Sequence, residues 1–159
     1  TALASIVEKT EGVCDYLKLC RIIENSSCLS SDVSAAVDPN YEQVNEKNNA
    51  AFAGNGMVLM KYTGARGKYD SSDASAEYVY KIGKILDDAG IMWQTGELGK
   101  VDQGGGGTIA FITAEYPMDV IDLGIPLHNM HAPWEATSKI DVYETYRGYM
   151  AFAKLAKEI

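Results

Sequence analysis

Two apolar segments too short to be helices fix the class of fold. Residues 57–62 read MVLMKY and residues 118–125 read MDVIDLGI; each has the length of a buried strand. Between them Val79, Ile82, Leu86 and Ala89 recur at three- and four-residue steps, the stripe of a helix that lays one side on a sheet. Short buried strands separated by such helices predict a layered α/β domain with a largely parallel sheet.

The remaining punctuation fits the same plan. Residues 2–25 place Val13, Tyr16, Leu17, Cys20 and Ile23 on one helical face, interrupted near Gly12. Residues 28–37 predict a strand running into a loop at Asp38, Pro39 and Asn40. The Asn-rich stretch 40–55 predicts a long surface loop, and residues 63–72 a polar connection. Ser72 or Asp73 is placed to cap the helix of the Val79 stripe, Gly90 ends it, and residues 91–94 supply the next strand. Residues 108–115 predict a helix, although TIAFI also suits a strand. Ser138 with Asp141 reads as a capping box for a last helix, with Ile140, Tyr143, Tyr146, Met150 and Ala153 as its inward stripe. No repeat or low-complexity linker divides the 159 residues, so one domain is expected.

Charge narrows the partners. With 22 acidic against 14 basic side chains the formal net charge is −8, and no Lys/Arg cluster relieves it. Nucleic acid and anionic membrane surfaces are therefore poor partners. No apolar run approaches the roughly 20 residues of a membrane span, and no signal-peptide pattern is seen. Cys14, Cys20 and Cys28 are odd in number and lack CxxC spacing. Free thiols in a reducing, cytoplasmic setting are the expectation.

Ligands of open α/β sheets gather beyond the carboxyl ends of strands. Three chemically unusual stretches fall at such ends. The first holds Asp32, in SSDVSAAVDPNY; by itself such an Asp is a turn former or cap. The second is the run of four glycines at 104–107 followed by Thr108, whose main chain could come close to a ligand and aim N–H groups at it. It matches neither the P-loop nor the dinucleotide fingerprint. The third is LHNMHAPWE, where Pro126 and Pro133 bracket His128 and His131 and argue for a loop. Two loop histidines are ordinarily just that, and no HExxH is present. A carboxylate and an imidazole from separate strand ends, with a position open to water, nevertheless suit a hydrolytic zinc site. Lys61 and Arg66 read as surface charges, and no GxSxG nucleophile occurs. The residues alone support a hydrolase-like or ligand-binding α/β domain with its site near the last strand.

Four collinear stretches carry a more specific resemblance: SSDVSAAVDPNY (30–41), KYTGARGKYDSSDASAEYV (61–79), WQTGELGKVDQGGGGTIA (93–110) and MDVIDLGIPLHNMHAPWEATSKIDVYETYRGYMAF (118–152). Together they resemble the aspartyl aminopeptidase and aminopeptidase I family of dinuclear zinc exopeptidases. The resemblance implies a phosphorylase/hydrolase-like three-layer α/β sandwich with a mixed, largely parallel sheet, assembled into homo-dodecamers. It implies peptide substrates with a free N-terminus, hydrolysed by a water activated between two zinc ions. Asp32 falls on the Asp of the family's S-x-D-x-x-x-A motif and His131 on the His of its M-H-[SA]-P motif, which makes each a ligand of one zinc. Lys61, Gly105, Gly106, Thr108 and Met130 match stretches that line the substrate pocket. His128 stands where relatives commonly have an apolar residue and receives no metal role. Ala35 stands where eukaryotic relatives have a His.

The family's other ligands are a second His, a bridging Asp and a Glu, and its general base is a Glu in a D-x-E-E-[IV]-G motif. None of these is found in the 159 residues. The chain is therefore expected to be the C-terminal part of a zinc aminopeptidase catalytic domain, with no general base of its own and no activity alone. The alternative is a non-catalytic binding or assembly module that keeps the fold; retention of both Asp32 and His131 favours the enzyme. A nucleotide site at the glycine run ranks behind both.

Overall fold

The computed structural model describes residues 2–66, 69–100 and 106–155. In chain order the elements are α1 (Ala2–Glu11), α2 (Tyr16–Glu24), β1 (Ser27–Ser30), β2 (Ser34–Ala35), a 3-10 turn (Glu42–Val44), β3 (Met57–Met60), β4 (Tyr62–Ala65), β5 (Tyr69–Asp73), α3 (Ala76–Asp88), β6 (Trp93–Thr95), α4 (Ala110–Ala114), β7 (Asp119–Gly124), β8 (Pro126–Leu127) and α5 (Lys139–Leu155). The two apolar runs become the interior strands of a sheet ordered β1-β7-β3-β6. β1 lies parallel to β7 and β3 parallel to β6, while β7 and β3 are antiparallel, so the sheet is mixed. The fold is α/β, as the alternation of elements predicts.

β3 is buried along its whole length because both of its faces are covered. Met57 and Leu59, with Ile121 and Leu123 of β7, pack on Tyr78, Ile82 and Leu86 of α3 and Ala151 of α5. Val58 and Met60 meet Ala51 and Leu98 on the other side. The Val79 stripe is displaced in detail: Tyr78, Ile82, Ile85 and Leu86 point inward, and Val79 and Ala89 flank them.

One interruption in the strand pairing positions the site. β2 pairs with β8, Ser34 opposite Pro126, in the same register that sets Ser30 opposite Asp122. The β1–β7 ladder is thus broken at residues 31–33 and then resumed. Gly124 makes the break possible, since a Cβ there would lie 1.5 Å from the carbonyl oxygen of Asp32.

Several local expectations are corrected. The polar stretch 63–72 is largely a hairpin of β4 and β5, in which Thr63 Oγ1 and Ser72 Oγ are hydrogen-bonded at 2.8 Å. Cross-strand pairing takes Ser72 and Asp73 into β5, and the cap of α3 is Ser75, whose Oγ accepts from Tyr78 N–H at 3.2 Å. The single interrupted helix is two helices: Gly12, at φ +90°, ends the first and Asp15 caps the second by accepting from Lys18 N–H at 2.7 Å. Its apolar face is not core, for Val13, Tyr16 and Leu17 are exposed.

The last helix faces opposite to its apolar stripe. Ile140, Tyr143, Tyr146 and Met150 are exposed, whereas Asp141, Glu144, Thr145, Gly148 and Ala151 are buried. Hydrogen bonds and close packing hold that inward face. Asp141 accepts from Gly54 N–H at 2.7 Å and Gly56 N–H at 2.8 Å rather than closing a capping box with Ser138. Glu144 accepts from Met92 N–H at 2.8 Å, and a Cβ on Gly148 would lie 2.3 Å from the Met57 sulfur. Among the described residues no helix is long and apolar enough to cross a membrane. All three cysteines are free thiols.

Candidate functional site

Where the β1–β7 ladder breaks, the chain gives up ladder hydrogen bonds and turns a carboxylate outward. Asp32 Oδ1 accepts from Val33 N–H at 2.8 Å, and Oδ2 is 3.4 Å from the donating N–H of Ile109. The Asp32 main-chain N–H, freed from the ladder, donates to Asp122 Oδ1 at 3.3 Å. Asp122 lies in the middle of β7 and is 1% exposed; burial pushes its carboxyl up to about 6.

The strand on the other side of the break leads to the histidines. After β8, His128 exchanges main-chain hydrogen bonds with Ala136, at 2.8 and 3.2 Å, and so closes the base of a loop. Within it Asn129 and His131 adopt left-handed backbone, with φ of +59° and +67°. His131 N–H donates to Glu135 Oε1 at 2.7 Å, and Ala132 N–H to the Asn129 carbonyl at 2.9 Å.

Both ladders end on one cavity of about 530 Å³. Asp32 and Val33 come from the break, Ala35 from β2, and Met130 and His131 from the histidine loop. Gly106, Gly107 and Thr108 enter from the described part of the glycine run. Residues far apart in sequence thus meet because β1 and β7 are parallel neighbours whose carboxyl ends share one edge. Thr108 is buried, and its hydroxyl accepts from Ala110 N–H at 3.3 Å at the start of α4.

One described residue expected at the pocket is not found there. Lys61 sits at the bend between β3 and β4, pairs with the Asp73 carboxylate, and does not line the cavity. The hairpin that this polar stretch forms places Asp73 within reach and draws the ammonium to it. Gly105 lies outside the described residues. Conversely, Gln43, Val44, Asn45, Leu98, Gly99 and Lys100 line the cavity unannounced. The first three belong to the Asn-rich loop whose length already suggested a working role. Lys100 is a cation on this wall that residue spacing alone had no means of singling out.

The donors suit zinc in kind. Zinc binds imidazole nitrogen and carboxylate oxygen, ordinarily through three or four protein groups. Asp32 and His131 are such groups on one cavity, but among the described residues no three His, Cys, Asp or Glu side chains gather closely enough to hold an ion. Asp32 and His131 are thus a set of two donors of the kinds zinc takes.

Comparison with known proteins bears on what that set belongs to. A probable M18 family aminopeptidase 1 of Clostridium acetobutylicum is 60% identical over 141 residues, which cover 89% of this chain and 30% of that relative. The crystal structure of an M18-family aminopeptidase from Thermotoga maritima superposes with a TM-score of 0.89 at 48% identity, over 94% of this chain and 33% of that one. The yeast mApe1 dodecamer shares the fold, with a TM-score of 0.72 at 24% identity over 96% of this chain and 32% of that chain. The chain therefore spans about a third of the length of the proteins it matches. A family profile described as aminopeptidase I zinc metalloprotease (M18) matches residues 2–153, nearly the whole sequence. By that match, and by the identity of its relatives, this chain belongs to the M18 family of aminopeptidase I zinc metalloproteases.

Proposed function

We propose that this chain is the C-terminal part of an aminopeptidase catalytic domain and contributes Asp32 and His131 as ligands to two zinc ions, one to each. The observation that carries the reading is their meeting on one cavity from the ends of neighbouring parallel strands, in a chain whose family is a zinc metalloprotease family. Zinc bound there supplies Lewis acidity toward the scissile carbonyl of a peptide whose free N-terminus enters the cavity.

The chain's own residues do the rest of the shaping. Gly106 and Gly107 let the main chain approach a peptide without side chains intervening. Met130, Val33 and Leu98 give an apolar wall, while Lys100 and Gln43 add polar groups to its rim. Exposed apolar side chains on α1, α2 and α5 support a self-associating protein. The dodecameric yeast relative has the same fold, and we propose homo-oligomerisation here as well.

The test is metal content and turnover in the assembled peptidase. Asp32→Ala and His131→Ala should each lose zinc, measured by elemental analysis, and depress peptide hydrolysis strongly. Undiminished zinc and turnover in either variant refutes the assignment of that residue. The 159-residue chain by itself should bind no stoichiometric zinc and turn over no peptide; a binding or assembly module would behave the same way alone, but would stay inactive when the remaining family segments are supplied.

A further inference from the structure

Each proposed ligand is held by its main-chain N–H, and in both cases the holder is a carboxylate outside the cavity lining. Asp32 N–H ends on Asp122 and His131 N–H on Glu135, at 3.3 and 2.7 Å. Neither Asp122 nor Glu135 lines the cavity.

The chemistry at Asp122 exceeds what one amide requires. An interior strand with neighbours on both sides places this carboxyl where it is 1% exposed, and its Oδ2 has no partner among the described residues. The Ser30 and Ser34 hydroxyls, which flank the same break in the ladder, are likewise buried and unpaired among the described residues. A buried polar group left unpaired costs stability. What that cost secures is an acceptor on a rigid strand at the one point where the Asp32 amide leaves the ladder, with Gly124 admitting the Asp32 carbonyl beside it.

At Glu135 the backbone itself asks for help. A non-glycine residue in the left-handed region is strained by about 1 kcal/mol or more, and His131 is such a residue. The 2.7 Å bond to a carboxylate is of the charge-assisted kind and closes the turn from 131 to 135. The His128–Ala136 pairing then anchors both ends of the loop to the strand region.

We propose that Asp122 and Glu135 are positioning residues that fix the main chain of Asp32 and His131, and so set how far apart the two ligands stand. The inference rests on the reading of Asp32 and His131 as ligands. Neither carboxylate is assigned contact with metal or substrate.

The test compares variants that remove the acceptor oxygen with variants that keep it. In the assembled peptidase, Asp122→Ala and Glu135→Ala should weaken zinc binding, measured by chelator competition, about 10–100-fold. Asp122→Asn and Glu135→Gln retain an acceptor and should restore the wild-type affinity. In the 159-residue chain, the amide proton resonances of Asp32 and His131 should move upfield in the alanine variants alone. Where Asp122→Ala does not fold, Asp122→Leu fills the same space without an acceptor and takes its place. Wild-type zinc affinity in the alanine or leucine variants, alongside zinc loss in Asp32→Ala and His131→Ala, overturns the positioning role and leaves the ligand reading standing. Failure of Asn and Gln to rescue also overturns it, since charge and not the held amide would then matter. Zinc retained in Asp32→Ala or His131→Ala overturns the ligand reading itself.

Discussion

The carboxylate of Asp141 accepts from the main-chain N–H of Gly56 at 2.8 Å, joining the start of α5 to the residue before β3. Its second oxygen takes Gly54 N–H at 2.7 Å, so one fully buried side chain satisfies two amides of a turn that precedes the central strand. Replacing it leaves the buried Gly56 donor and the half-buried Gly54 donor unpaired. Asp141→Ala should lower unfolding stability by about 3 kcal/mol, read from the urea midpoint of the chain. A loss below about 1 kcal/mol would show that water takes over both amides without cost.

Gly124→Ala tests the break in the ladder. The added methyl would fall 1.5 Å from the Asp32 carbonyl oxygen, so the main chain of residues 31–33 must move. A cost of roughly 1–3 kcal/mol is expected, with amide resonance changes centred on residues 31–33. Unchanged resonances there would mean that β7 yields instead of the Asp32 segment.

The buried Asp122 predicts a pH dependence of stability in the metal-free chain. Its folded carboxyl is raised to about 6 from an ordinary 3.8 by burial, so the folded state holds the proton more tightly than the unfolded one. The resulting stabilisation is fully present below about pH 4 and is lost as pH rises through about 6, a swing of up to about 3 kcal/mol. Asp122→Asn abolishes this component. The wild-type minus Asp122→Asn difference in unfolding free energy, measured with chelator present, should therefore fall across that window; a flat difference would falsify the shift.

Lys61 offers a contrasting, quiet substitution. Its ammonium and the Asp73 carboxylate are both substantially exposed, 49% and 62% by side chain, so the pair is screened by solvent. Lys61→Met should change stability by less than about 1 kcal/mol. Because Lys61 does not line the cavity, KM of the proposed assembled peptidase should not move. A marked rise in KM would place its side chain at the substrate after all.

How much could be read without coordinates varied with the kind of information involved. β3 and β7 were legible because MVLM and DVIDLG are apolar runs of strand length, and strand burial is a local property of the sequence. Helix α3 was legible from its period, though the capping serine shifted to Ser75 once β5 had claimed Ser72 and Asp73. The period failed at α5. Its inward face is built from Asp141, Glu144 and Gly148, whose roles depend on partners at Gly54, Gly56, Met92 and Met57. A hydrophobic stripe says which face is apolar and not which face finds a donor.

The same division runs through the site. The sequence by itself determined the α/β class and the family motifs that mark Asp32 and His131, because those are encoded in residue type and local spacing. Tertiary structure alone decided that the two meet on one cavity, that Lys61 turns away to Asp73, and that Asp122 and Glu135 accept from their amides. These outcomes follow from strand order and from a parallel ladder broken at Asp32. Contacts of that kind join residues with no local relationship, so they exist only once the chain has closed on itself.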